Sequence, residues 1–211
     1  MKLFLTSMAI SYEQGPAFLK LTGKSKASDV KIALIENGAD VYHEDKKDWV
    51  YRNRDNIQAH GFQVDFVDLQ EYLDGRKLLL PRLEDADVVW LGGGNTYYLR
   101  WILRETKADI MIQRLVRAGK VYGGGSAGAI IAGPTLKHFE KADDPDEAPE
   151  KIVEGLKLID FVVIPHWKNE KYGDTMRHDV HEKLEADGYK TICITDEQAL
   201  IINGQEQTII P

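Results

Sequence analysis

The chain has 211 residues, 43% of them apolar, which suits one compact α/β domain with a real core and leaves little room for a second. With 34 acidic against 27 basic residues the formal charge is −7, which argues against nucleic acid or an anionic membrane as the main partner, since both reward clustered Lys and Arg. Cys193 is the single cysteine and the opening MKLFLTSMAISYEQG is apolar over too few residues for a signal peptide or a span, so a cytoplasmic protein acting on a small molecule or peptide is expected.

In chain order, β-branched and apolar runs predict strands at 3–6 and 31–35, then a helix over 49–60 with apolar residues at three-and-four spacing. Strands at 64–69 and 88–91 follow, then helices over 97–105 and 110–118 and a strand at 120–122. The acidic, proline-containing stretch 140–151 reads as a surface loop. A strand at 161–164, a helix over 175–186 and a strand at 191–194 come next. Such alternation, with strands too apolar to leave one face wet, predicts a single domain over 1–211: a doubly wound, mostly parallel sheet with helices on both faces. The tail ALIINGQEQTII sets two alternating runs around Asn-Gly and predicts a closing antiparallel hairpin.

Ligands of such sheets bind beyond the carboxyl ends of the strands, and two of those junctions are glycine-rich, VVWLGGGNTYYL and VYGGGSAGAII. Gly123, Gly125 and Gly128 match a dinucleotide fingerprint, but the acid it needs about 20 residues on would fall in the acidic loop instead of on a strand. Neither junction has the Gly-Lys-Ser/Thr of a phosphate loop. Gly124-x-Ser126-x-Gly128 instead fits a nucleophile elbow, in which glycines clear space around a strained, exposed serine. A helix-capping serine is the alternative. In the elbow reading the N–H groups of Ala127 and, from the neighbouring junction, Gly94 form an oxyanion hole.

Among six histidines only His166 ends a predicted strand, in FVVIPHW, which puts it on the sheet edge of Ser126 as the general base. His178 and His181 form an H-x-x-H on a polar helix face, read as solvated with no metal expected. For the orienting acid, Asp143, Asp144 and Glu140 all lie between Ser126 and His166.

The stretches LGGGNTYYL, GGGSAGAIIAGPT and IPHW, in this order, resemble the aspartyl dipeptidase (peptidase E) family of serine peptidases, which includes cyanophycinases, and the alternating pattern extends the likeness along essentially the whole chain. The resemblance implies a fold similar to class I glutamine amidotransferases, an atypical Ser, His and Asp/Glu set and short peptide substrates; an acyl-enzyme mechanism with no cofactor is expected. It matches Ser126 to the nucleophile, His166 to the base, and Gly94 and Ala127 to the oxyanion donors. The family's acid stands in a short loop before a Met-Pro pair, which favours Asp144, next to Pro145, over Asp143. Arg177 is offered as the pocket cation of an aspartyl preference, at a shorter spacing from the histidine. A monomer or homodimer is expected. An esterase of similar elbow geometry and a catalytically silent, ligand-binding relative remain open; only 40 residues separate Ser126 from His166, which leaves an α/β-hydrolase esterase little room for its further strands.

Overall fold

The computed structural model describes residues 1–211, and the apolar runs form nine strands. These are β1 (Lys2–Thr6), β2 (Lys31–Ile35), β3 (Gln63–Phe66), β4 (Val88–Leu91), β5 (Val121–Gly125), β6 (Val162–Ile164), β7 (Thr191–Cys193), β8 (Ala199–Asn203) and β9 (Glu206–Ile210). Seven make one sheet in the order β3-β2-β4-β5-β1-β8-β9, parallel from β3 to β1, with the closing hairpin β8–β9 antiparallel. The helices are α1 (Gly15–Thr22), α2 (Asp48–Ala59), α3 (Leu80–Asp85), α4 (Thr96–Glu105), α5 (Ala108–Arg117), α6 (Ala127–Ile131) and α7 (Glu182–Ala186). None is long and apolar enough to cross a membrane.

Because side chains alternate along a strand, each central strand feeds two cores. Leu3, Leu5, Ala33, Ile35, Val89 and Leu91 pack into the larger one, beneath α4, α5 and α6. Their neighbours Phe4, Ile32, Leu34, Val88 and Trp90 join Phe18 of α1 and Ile57 of α2 on the opposite face. Both faces are therefore covered, as the alternation predicts. Fully burying a side chain such as Leu3 or Phe4 contributes about 1.5–3 kcal/mol.

Four expectations need correction. The strand expected at 120–122 runs on through the glycines to Gly125, because Gly123 and Gly124 pair with Phe4 and Leu5 of β1. The strands after it, β6 and β7, do not join the main sheet: β1 is already bonded on one edge by β5 and on the other by β8, so they pair with each other as a separate two-stranded parallel sheet. The hairpin turn is Gly204-Gln205 and not Asn-Gly, since Asn203 still pairs with Glu206 and the left-handed Gly204 (φ +65°) takes the first turn position. The helix expected over 175–186 begins with a π-helical turn, Thr175–His181, before α7.

Candidate active site

β5 delivers Ser126 at its carboxyl end, and the glycines around it answer steric demands. A side-chain carbon on Gly124 would lie 2.6 Å from the Gly128 carbonyl oxygen, and one on Gly128 would lie 2.1 Å from that of Leu91. The backbone of Ser126 is held at φ +49°, ψ −110°, a strained conformation for a residue with a side chain, and its N–H donates to the Thr6 carbonyl at 2.9 Å. Ser126 precedes α6 but its side chain makes no capping bond, so the helix-cap reading fails. The hydroxyl instead lies 3.0 Å from Nε2 of His166.

His166 arrives by a route the sequence did not suggest. It follows β6 of the small sheet, two residues beyond Ile164, and therefore does not share a sheet edge with Ser126. Its own backbone is left-handed, φ +57°. The fully buried Ser7, just past β1, holds it there: the Ser7 hydroxyl accepts the His166 N–H at 3.0 Å and faces the carbonyls of Ile194 and Thr195 at 3.2 and 3.0 Å. One hydroxyl thus ties the main sheet to both strand ends of the small one. The imidazole packs against Tyr172, ring centres 5.4 Å apart, while the neighbouring Trp167 meets His181 edge to face.

Nδ1 of His166 lies 2.7 Å from Oδ1 of Asp196, and Oδ2 of the same carboxylate accepts from Asn169 Nδ2 at 2.6 Å. The hydrogen bond from His166 holds the Asp196 carboxyl below the usual aspartate range, against the opposing effect of burial and with help from Asn169. An ionised carboxylate only accepts, so Nδ1 carries the ring proton and the lone pair of Nε2 faces the serine hydroxyl. Such a chain can remove a proton from the hydroxyl and stabilise the imidazolium that results.

The expected acids lie elsewhere. Asp144, exposed, caps the turn Pro145–Glu147 through the Asp146 N–H at 3.0 Å. Glu140 pairs with Lys151 at 2.8 Å. Asp143 does reach the site, but its bonded oxygen accepts from the backbone N–H of Thr96 at 3.0 Å and from the Thr96 hydroxyl, not from Nδ1 of His166. Asp196 comes 30 residues after His166, not between it and Ser126; the one sequence signal for it is an acid just past the strand that pairs with the histidine's own.

A cavity of about 500 Å³ opens over Ser126 and His166, a size that accommodates a small ligand. Gly94 lines it, whereas Ala127 is fully buried directly behind Ser126. Burial raises the carboxyl of Asp143 above its ordinary range despite the two Thr96 bonds, and raises that of Glu36, whose partner Arg54 lies 2.5 Å away. The Tyr42 phenol is pushed up to about 12, first by burial and then by Asp143. Arg177 does not line the cavity: Met176 beside it turns inward, leaving Arg177 exposed on the outer side of the π-turn. His178 pairs with Glu182 at 3.0 Å and His181 with the Thr191 hydroxyl at 2.9 Å.

Residues 5–210 match the model of peptidase family S51. An uncharacterized peptidase of Pasteurella multocida is 29% identical over 99% of this chain and 96% of its own. Peptidase E of Streptomyces coelicolor is 35% identical over 49% of this chain and 42% of its own length. The crystal structure of a candidate peptidase E protein from Listeria monocytogenes EGD-e has the same fold, with a TM-score of 0.82 and 27% identity over 99% of this chain and 97% of that one. The chain belongs to peptidase family S51.

Proposed function

We infer that this member of peptidase family S51 is a serine peptidase that cleaves short peptides through an acyl-enzyme. The observation that carries the reading is the continuous hydrogen-bonded chain from the Ser126 hydroxyl through His166 to Asp196, opening on one cavity. His166 Nε2 takes the hydroxyl proton as Oγ bonds to the peptide carbonyl carbon, and the carbonyl π electrons move to oxygen. The Gly94 and Ala127 N–H groups are the proposed donors to that oxyanion, each worth about 3 kcal/mol in the transition state. The imidazolium then protonates the leaving amine, the C–N bond breaks, and water releases the acyl group by the same steps in reverse.

The cavity volume supports a substrate of two or three residues, not a folded protein. Arg177 no longer supports an aspartyl preference, since it lies outside the cavity. An acidic first residue would be met by the exposed cavity-edge lysines Lys46 and Lys171. A fluorophosphonate probe together with a panel of dipeptides and small esters tests the reading. Labelling at Ser126, peptide turnover exceeding ester turnover, and loss of both in Ser126→Ala at an unchanged melting temperature are expected. A Ser126→Ala protein that still hydrolyses peptides at the wild-type rate would refute it.

A further inference from the structure

We propose that the outer edge of β9 pairs with a second copy of this chain, antiparallel and about a two-fold axis at Thr208, so that two main sheets join into one. The main sheet has one guarded edge and one open edge. At the β3 edge the strand alternation leaves Val64 and Phe66 facing outward, since the Gln63 N–H bonds the Val30 carbonyl and the Val67 N–H bonds that of Leu34. Arg82 closes this edge: its guanidinium donates to the Phe66 carbonyl at 2.9 Å and pairs with Asp65. A charged group bonded at an edge blocks the approach of a further strand.

β9 has no such guard, and its sequence EQTII contains neither lysine nor proline. The Gly204 N–H bonds the Met1 carbonyl at 2.8 Å, which fixes the alternation along β8: Leu200, Ile202 and Gly204 bond toward β1, and Ala199, Ile201 and Asn203 toward β9. Their partners Glu206, Thr208 and Ile210 are therefore engaged, while the N–H and C=O groups of Gln207 and Ile209 point away from the sheet. Residues 203–209 are all exposed, and no segment outside the hairpin bonds Gln207 or Ile209.

These free groups are symmetric about Thr208. A second β9 laid antiparallel, with Thr208 opposite Thr208, sets Gln207 against Ile209 of the other copy and Ile209 against its Gln207, and each such pair exchanges both N–H···O=C bonds. The side chains suit that register. Ile209, 45% exposed, gains Ile209 of the second copy as a diagonal neighbour on one face, and the two threonines meet on the other. Glu206, the one charge on the strand, falls opposite Ile210 and about 14 Å from its counterpart, beyond a Debye length at physiological salt. A second copy is thus the occupant that the strand itself specifies, and an isologous contact of this kind closes at two chains. One strand pair buries less than the ~1,200 Å² of a standard interface, so the dimer is a reversible one.

Sedimentation equilibrium on the full chain tests this. The weight-average mass should exceed the chain mass of 23.9 kDa and approach twice that value as the concentration rises to about 1 mM. Gln207→Pro removes one outward N–H and no bond to β8, so it should raise the dissociation constant about tenfold or more with an unchanged circular dichroism spectrum. Thr208→Lys keeps every backbone group and sets two like charges face to face at the axis. It should be monomeric, as should Thr208→Glu, whereas an equal mixture of the two variants should dimerise again. β8 and β9 supply no residue to the cavity over Ser126, so the outcome is independent of the serine-peptidase reading. A wild type that stays at the chain mass throughout, as it would if this edge served another protein or none, overturns the proposal. So does a dimer indifferent to Thr208→Lys, or a mixture of the two variants that stays monomeric.

Discussion

Changing Asp196 to Asn keeps the size of the side chain and reverses the polarity of one of its hydrogen bonds. The carboxylate accepts at both oxygens, from His166 Nδ1 at 2.7 Å and Asn169 Nδ2 at 2.6 Å. An amide has one acceptor and one donor. Turned one way it opposes its NH₂ to that of Asn169; turned the other it faces His166 with a donor and forces the ring proton to Nε2, where the lone pair for Ser126 should be. The negative charge beside the imidazolium is lost in either case. A comparable aspartate-to-asparagine change in a Ser-His-Asp set lowers kcat by about 10⁴, or about 5.4 kcal/mol of barrier. We expect that loss for Asp196→Asn in steady-state peptide hydrolysis, with KM little changed, while Asp144→Asn stays near wild type. Adding Asn169→Asp should restore part of the rate, because it supplies an acceptor for the new NH₂ and lets the amide oxygen face His166. An Asp196→Asn enzyme within about tenfold of the wild-type kcat would refute the assignment.

Ser7→Ala strands the His166 N–H without an acceptor at a buried position, at a cost of about 1–3 kcal/mol. Thermal melting should drop by several degrees and kcat should fall more than KM rises; an unchanged kcat would show that Ser7 does not hold the histidine. Stability against pH should separate the two site aspartates. The folded Asp196 carboxyl is held below its ordinary range, so it stabilises the fold above the unfolded value of about 3.8, and this contribution is lost as pH falls through the folded value. Urea midpoints of wild type and Asp196→Asn should differ at pH 7 and converge in acid. Asp143 has the opposite sign: its raised carboxyl penalises the fold at neutral pH, so Asp143→Asn should be more stable than wild type at pH 7 and lose that advantage in acid. A gap that is independent of pH in either variant would contradict the stated cause.

Ser126 and His166 were legible because each sits where a short apolar run ends, and because glycines at 124 and 128 are the visible residue of a steric demand. Helices α2, α4 and α5 were legible from spacing to within two residues at either end, as were strands β1, β2 and β4. Asp196 was not, because its nearness to His166 follows from the pairing of Ile164 with Cys193 across β6 and β7, and no local pattern specifies which strands pair. Ser7 was hidden for the same reason: its three partners are 159, 187 and 188 residues away in the chain. The acidic stretch read as a surface loop that could send one acid to His166; Asp143 does turn into the cavity, but its bonded oxygen meets the first residue of α4 instead.

The two sheets divide the labour of the site unequally. Ser126 rides on a strand bonded along both edges within seven, whereas His166 and Asp196 extend from a pair of three-residue strands. On the serine-peptidase reading, activity depends on how that small pair is seated against the main sheet, which the Ser7 hydroxyl and the burial of Val162, Val163 and Ile164 in the larger core both secure.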